Sequence, residues 1–192
     1  QGDAICGVDT LHIAGRHNLE NASAAISAAR CIMPEVTNLQ IQEGLGSFDG
    51  LPHRLKFVAE KQGVKFYDDS IATTPGSAIA ALRSFDGGKV IILGGSDKGA
   101  SYGEVVAVAK QEGARVVAIG QTGQAIYDLC LQMGVTVVRE EGLMEEVVDR
   151  AAELASPGDV VILSPASASF DQYTGYSDRG DKFIGAVNRL KD

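Results

Sequence analysis

The sequence predicts an α/β fold: a mostly parallel sheet with helices on both faces, preceded by a short helical tail. Three observations predict it. From residue 55 onward, short strand-like runs alternate with helical patterns of about ten residues, the mark of βαβ units. Three of those runs, KVIIL (89–93), RVVAI (115–119) and VVIL (160–163), are continuously apolar after the Lys or Arg that opens the first two, as in strands covered on both faces. The residues after each strand are glycines, hydroxyls or charges rather than plain connectors.

Residues 1–54 read differently from the rest. A short extended stretch is expected over 10–13. The segment 18–32 is Ala-rich and helical, with Ala22, Ala25, Ile26 and Ala29 at helical spacing, and Pro34 ends it. A second helix is expected over 38–48, where glycines break the chain. No run in this segment supplies a sheet to cover these helices. Residues 1–54 therefore read as the end of something larger, and 55–192 as an α/β domain.

Within 55–192 the first strand is VKFYD (64–68). A helix follows over 75–85, with Pro75 at its first position and Thr74 as N-cap. After the strand 89–93 comes a helix over 102–112, then the strand 115–119 and a helix over 124–133. A short strand over 136–138 precedes an amphipathic helix over 143–155. The strand 160–163 and a closing helix over 178–190 complete the pattern.

Composition narrows the function. With 45% hydrophobic and 22% charged residues the chain resembles an ordinary soluble globular protein. At 192 residues it holds one domain, or one plus a piece of another, and needs no disulfide or metal staples. No apolar run approaches the ~18 residues that span a bilayer, and the first ten residues lack the basic-then-apolar pattern of a secretory leader. Seventeen Lys+Arg against 25 Asp+Glu leave a net charge of -8, which argues against nucleic acid as a partner. Cys6, Cys31 and Cys130 are odd in number and far apart, so neither a zinc site nor a disulfide framework is expected. That usage fits a reducing cytosol, hence a cytoplasmic location. Each cysteine reads as a small buried hydrophobe.

In open α/β sheets ligands bind beyond the carboxyl ends of the strands. After VKFYD comes Asp69-Ser70-Ile71-Ala72-Thr73-Thr74. After KVIIL comes Gly94-Gly95-Ser96-Asp97-Lys98-Gly99. After RVVAI comes Gly120-Gln121-Thr122-Gly123, and after VVIL comes Ser164-Pro165-Ala166-Ser167-Ala168-Ser169. Each loop alone could be turn residues or helix caps, but four on one edge point to a site. Lys98, flanked by glycine, could meet a carboxylate or phosphate. Two motifs are missing: GxxxxGK[ST], the phosphate cradle, and GxGxxG, the dinucleotide turn. No cluster has metal-ligand spacing, and no metal site is expected.

Three sets of motifs then occur in order. The first is His17-Asn18-Leu19-Glu20-Asn21 before an Ala-rich helix, then Gly50-Leu51-Pro52-His53-Arg54. The second is Asp69-Ser70-Ile71-Ala72-Thr73-Thr74-Pro75, then Gly94-Gly95-Ser96-Asp97-Lys98-Gly99. The third runs from Leu163 through Ser164-Pro165-Ala166-Ser167-Ala168-Ser169-Phe170-Asp171-Gln172-Tyr173 and closes on Arg179-Gly180-Asp181-Lys182-Phe183. Together they resemble the Mur ligase family of bacterial cell-wall enzymes, in particular its D-glutamate-adding branch. The resemblance implies that 1–54 is the tail of a central ATPase domain and that 55–192 is a C-terminal, Rossmann-like, amino-acid-binding domain. The phosphate-binding lysine, the magnesium ligands and the family's modified lysine would then lie upstream.

The resemblance also implies roles. The family activates a carboxylate of a UDP-sugar substrate with ATP as an acyl phosphate, which an amino acid's amine attacks. Here the substrates would be UDP-N-acetylmuramoyl-L-alanine and D-glutamate, with ATP and Mg2+ serving the full-length enzyme. Asn18 and Asn21 would lie near the adenine, although Asn18 also reads as a plain helix cap. Arg54 would reach the ATP phosphates or ribose, and Asp69 would face the nucleotide. His53 reads as structural. The D-glutamate pocket would use Thr73, Lys98, Ser169, Phe170 and Tyr176. Lys98, the residue assigned to catalysis, would pair with a substrate carboxylate. Tyr176 would wall the pocket, or read instead as a core aromatic. The chain departs from the family's common pattern at Ile71, Thr74, Tyr173 and Tyr176, and Ile71 removes a lysine from the nucleotide loop. Family members are monomers. Two other readings stay open: a sister ligase adding another amino acid, and a stand-alone Rossmann-like binding module.

Overall fold

The computed structural model describes residues 4–13, 15 and 17–192. The first three residues, which belong to the stretch read for a leader, lie outside that set. The chain forms two compact units, Gln1–Leu51 and Pro52–Asp192. His53 and Arg54, read above with the first segment, group with the second unit.

The first unit is helical. A 3-10 turn covers Val8–Thr10, and α1 (His17–Ile32) and α2 (Asn38–Gly46) follow. The stretch expected to be extended over 10–13 forms no strand, and the unit's described residues offer no neighbouring strand to pair with. Thr37 caps α2 through a capping box: its hydroxyl accepts the Gln40 N–H, while the Gln40 side chain accepts the Thr37 N–H. Among the unit's described residues only Asn18 and Ile41 are buried, while Val8, Ile32, Met33, Leu39, Phe48 and Leu51 are exposed.

The second unit holds six strands: β1 (Lys56–Lys61), β2 (Val64–Asp68), β3 (Lys89–Gly94), β4 (Arg115–Ile119), β5 (Val137–Glu140) and β6 (Val160–Leu163). Their order across the sheet is β1-β2-β6-β3-β4-β5, and all pairs are parallel except β1 with β2. The helices are α3 (Pro75–Leu82), α4 (Gly103–Gln111), α5 (Gly123–Met133), α6 (Met144–Leu154) and α7 (Tyr176–Arg189). The sheet is thus mostly parallel, as the apolar runs predict.

Strand β1 is the element absent from the sequence expectation. Its sequence, KFVAEK, is mixed, and its residues are half-buried or exposed, as befits an edge strand. It joins β2 through Gln62 and Gly63, both at positive φ, the conformation that lets a two-residue hairpin follow the strand twist.

Side chains alternate across the pleat and divide the core in two. Ile91, Leu93, Val116 and Ala118 pack on one face with Ile79 and Leu82 of α3, Val105 of α4, and Ile126 and Cys130 of α5. Val90, Ile92, Val117, Ile119 and Leu163 pack on the other with Met144 and Val148 of α6 and Phe183 and Val187 of α7. Cys130 is the buried small hydrophobe expected of it. Cys31 is exposed and Cys6 only half-buried, because both lie in the thinly packed first unit.

This layering places the site. The chain leaves β2 and β3 toward α3 and α4 on one face, but leaves β6, which lies between them, toward α7 on the other. Such a reversal opens a crevice at the carboxyl ends of the strands.

Candidate functional site

The loops after β2, β3, β4 and β6 meet above the sheet. Gly94 N–H donates to the Pro165 carbonyl (2.8 Å), Ser96 N–H to Ala168 (2.9 Å), and Thr122 N–H to Gly95 (3.0 Å). Ala166 N–H donates to the Ala72 carbonyl (2.9 Å). Such close approach requires glycine: a Cβ on Gly95, at φ +151°, would overlap the Ala168 carbonyl oxygen. Ala166 itself sits at φ +57°, a left-handed conformation that a non-glycine residue adopts only when its surroundings hold it there.

Beneath these loops lies Arg179, on the first turn and a half of α7, fully buried. Its Nε donates to Ser70 Oγ (2.9 Å) and its Nη2 to the Ser70 carbonyl (2.8 Å). Its Nη1 donates to the carbonyls of Ser167 (3.0 Å) and Ala168 (3.3 Å). The rigid fork of donors thus ties the β2 loop to the β6 loop. Burial lowers its pKa to about 10, so it stays charged at neutral pH. Ser70 Oγ in turn donates to the Tyr176 carbonyl (2.8 Å), joining the N-terminus of α7 to the same knot.

Two adjacent carboxylates close the other side. Asp68 accepts from Ser70 N–H (2.9 Å), and its Oδ2 lies 2.7 Å from His53 Nδ1. Asp69 accepts from Leu55 N–H (3.1 Å) and from the Ser164 hydroxyl (2.7 Å). Burial raises both pKa values, that of Asp69 to about 6, against the opposing pull of those hydrogen bonds. The neighbouring Asp68 charge pushes Asp69 further up, and Arg54 pulls it back.

The expected amino-acid residues are placed as follows. Lys98 is exposed, and its Nζ stands 5.3 Å from the centroid of the Phe170 ring, within cation–π range. Phe170 is exposed and Ser169 beside it is buried. Thr73 is exposed, one residue beyond the carbonyl that ties the β2 loop to the β6 loop. Tyr176 is the first residue of α7, 41% exposed, with its ring edge-on to His53 at 6.0 Å. It is therefore no core aromatic, since it starts a helix at the rim rather than lying under it.

The expected nucleotide residues divide between the units. Asn18 and Asn21 lie on α1, where Asn21 Nδ2 donates to Asn18 Oδ1 (3.0 Å). The helix begins at His17, so Asn18 lies within its first turn rather than in the cap position. Arg54 and Asp69 belong to the second unit; Arg54 is exposed and Asp69 is buried. His53 is largely buried against Asp68, consistent with a structural part.

Sequence reasoning passed over Arg179 and Asp171 as site residues. A signal for Arg179 was available: it falls on the apolar stripe of α7 with Phe183, Ala186 and Val187, where a solvated charge has no place. Asp171 carries no such periodic signal, because its partners come from other loops.

Fold and site together define an α/β domain with convergent loops at the carboxyl edge of its mostly parallel sheet. Residues 53–167 match the family model described as Mur ligase, glutamate ligase domain. The chain belongs to the Mur ligase family. It is 40% identical over 191 residues to the UDP-N-acetylmuramoylalanine–D-glutamate ligase of Geobacillus kaustophilus, covering 99% of this chain and 42% of that protein. It is 42% identical over 189 residues to the same-named ligase of Desulfosudis oleivorans, covering 98% of this chain and 40% of that one. The chain thus spans about two fifths of the length of these relatives. In fold it is similar to UDP-N-acetylmuramate-alanine ligase from Thermotoga maritima (TM-score 0.65, 20% identity, 93% of this chain and 39% of that one). It is likewise similar to folylpolyglutamate synthase from Mycobacterium tuberculosis (TM-score 0.66, 15% identity, 91% and 41%).

Proposed function

We propose that the chain is the C-terminal part of an ATP-dependent ligase that joins D-glutamate to UDP-N-acetylmuramoyl-L-alanine in peptidoglycan precursor synthesis. The observation that carries this reading is the near-complete match, at about 40% identity, to two relatives both bearing that ligase's name. In this reading residues 1–54 are the tail of the ATPase domain, and the second unit binds the incoming amino acid. The exposed apolar side chains of the first unit support the first part. The convergent strand-end loops support the second.

D-Glutamate brings two carboxylates and an amine that must be held in line for attack on an activated carboxyl. Lys98 would supply the cation for one carboxylate. Thr73 and Ser169 would donate hydroxyl hydrogen bonds, and the Phe170 backbone N–H another. Phe170 and Tyr176, both partly open to solvent, would wall the bound amino acid and exclude water. The rigid knot around Arg179 would keep these donors in place.

Asn18, Asn21, Arg54 and Asp69 would meet ATP. The chain itself carries no GxxxxGK[ST] cradle, and among the described residues no group of three His, Cys, Asp or Glu could hold a metal ion. In this reading phosphate and Mg2+ binding belongs to the upstream part of the full-length enzyme, which would supply the activated carboxyl. No helix among the described residues is long and apolar enough to cross a membrane. The ligase reading itself assigns the full-length enzyme to the cytoplasm, as a monomer without nucleic-acid partners.

The test is amino-acid profiling of the full-length enzyme with ATP and the UDP-sugar acceptor. Selective incorporation of D-glutamate supports the reading. Preference for L-alanine, L-lysine or meso-diaminopimelate would overturn it.

A further inference from the structure

We propose that Asp171 is a positioning residue for amino-acid recognition: its carboxylate fastens the Lys98 loop to the Phe170 segment and so sets where the Lys98 ammonium can reach. This inference rests on the D-glutamate reading of the same site.

The geometry is a three-loop clamp. Asp171 follows Phe170 in the loop after β6. Its Oδ1 accepts from Ser96 Oγ (3.1 Å), in the loop after β3. Its own N–H donates back to the same Ser96 Oγ (2.9 Å). Its Oδ2 accepts from Gln121 N–H (3.0 Å), in the loop after β4. The approach is close enough that a Cβ on Gly120, at φ +66°, would collide with Oδ2.

The clamp continues to Lys98 on both sides. Gln121 Oε1 accepts from Asp97 N–H (3.0 Å), and Asp97 Oδ1 accepts from Gly99 N–H (2.8 Å). Lys98 therefore sits between two residues fixed by hydrogen bonds, while its own side chain is exposed. The Phe170 ring under its Nζ is carried by the residue preceding Asp171. A lysine stem has much rotamer freedom to lose on binding, so a backbone already held in place favours recognition. Asp171 touches no substrate in this account and acts through Lys98.

The chemistry of the clamp predicts which replacement survives. Alanine removes both accepting oxygens. Asparagine can keep both links, since its Oδ1 can accept from Gln121 N–H while its Nδ2 donates to a free lone pair of Ser96 Oγ.

The test is steady-state kinetics of the full-length enzyme carrying Asp171→Ala, Asp171→Asn, Ser96→Ala, Lys98→Ala and the double variant Asp171→Ala/Lys98→Ala. We expect Asp171→Ala to raise KM for D-glutamate about tenfold or more while KM for ATP stays within about twofold. Ser96→Ala moves in the same direction and serves in its place if Asp171→Ala does not fold. Asp171→Asn recovers most of the loss. The double variant is no worse than Lys98→Ala, because a residue acting through Lys98 has nothing left to position. Penalties that multiply in the double variant, a parallel rise in KM for ATP, or an Asn variant as poor as Ala would overturn the proposal. If Lys98→Ala alone leaves KM for D-glutamate unchanged, the D-glutamate reading fails. If Lys98→Ala raises it and neither Asp171→Ala nor Ser96→Ala does, only the Asp171 inference fails.

Discussion

Asp69 shows how a single buried carboxyl can give the site a pH signature. Burial raises its pKa to about 6 in the folded chain, against 3.8 for an ordinary aspartate. The folded chain therefore holds this proton more tightly than the unfolded one. Between those two values stability falls as pH rises, and above pH 6 a constant penalty remains, on the order of 2–3 kcal/mol. Asp69→Asn carries no ionisable proton and can still accept from Leu55 N–H. Its stability relative to the parent should climb from pH 4 to about pH 6.5 and then level off, as read by urea unfolding across that range. A difference independent of pH would show that Asp69 does not titrate as described. Arg179 offers a second test. Arg179→Met leaves the Ser70 and Ser167 carbonyls without the Arg179 donor, while Ala168 keeps its bond from Ser96 N–H, and should cost about 3–5 kcal/mol by the same method. A loss under 1 kcal/mol would remove Arg179 from the knot. The positions of Asp69 and Lys98 were legible in the sequence, because both fall in loops that follow strands, at the carboxyl edge of the sheet. The knot was not legible. Its hydrogen bonds span up to 109 positions of sequence, from Ser70 to Arg179, and no local pattern records a pairing of that range.

The elements divide by how their sequences signal burial. Strands β4 and β6 lie where the apolar runs put them, because burial on both faces leaves no polar position after Arg115 in β4 and none in β6 to blur the pattern. Strand β1 escaped because an edge strand needs no such run. Among the described residues its outer edge has no partner strand, and its own residues are half-covered or exposed. Helix α7 begins two residues earlier than its periodicity suggests, at Tyr176, since Ser70 Oγ donates to the Tyr176 carbonyl and holds the first turn. These differences predict a ranking of hydrogen exchange. Amides of β3 and β6, buried in the middle of the sheet, should exchange slowest, near the rate of global unfolding. Those of β1 should exchange far sooner by local opening. Equal protection in β1 and β6 would contradict the layering.

For the molecule as a whole, a net charge of -8 is compatible with the proposed anion binding if the work falls to a few exposed cations, Lys98 and Arg54 above all. The two units also differ in self-sufficiency. The second has a core on each face of its sheet. The first buries only Asn18 and Ile41 among its described residues. The 192-residue chain by itself should therefore unfold in two steps, with amides of α1 and α2 protected least, and it should catalyse no ATP-dependent ligation for want of a phosphate cradle. Measurable ligation by this chain alone would refute the second expectation. In the proposed function the strand-end loops of the second unit would receive D-glutamate through Lys98. The most direct test is the pair of KM values, for D-glutamate and for ATP, of the full-length enzyme carrying Lys98→Ala. A rise of at least tenfold is expected for D-glutamate, with ATP little changed. An unchanged KM for D-glutamate, or an equal rise for both substrates, would contradict it.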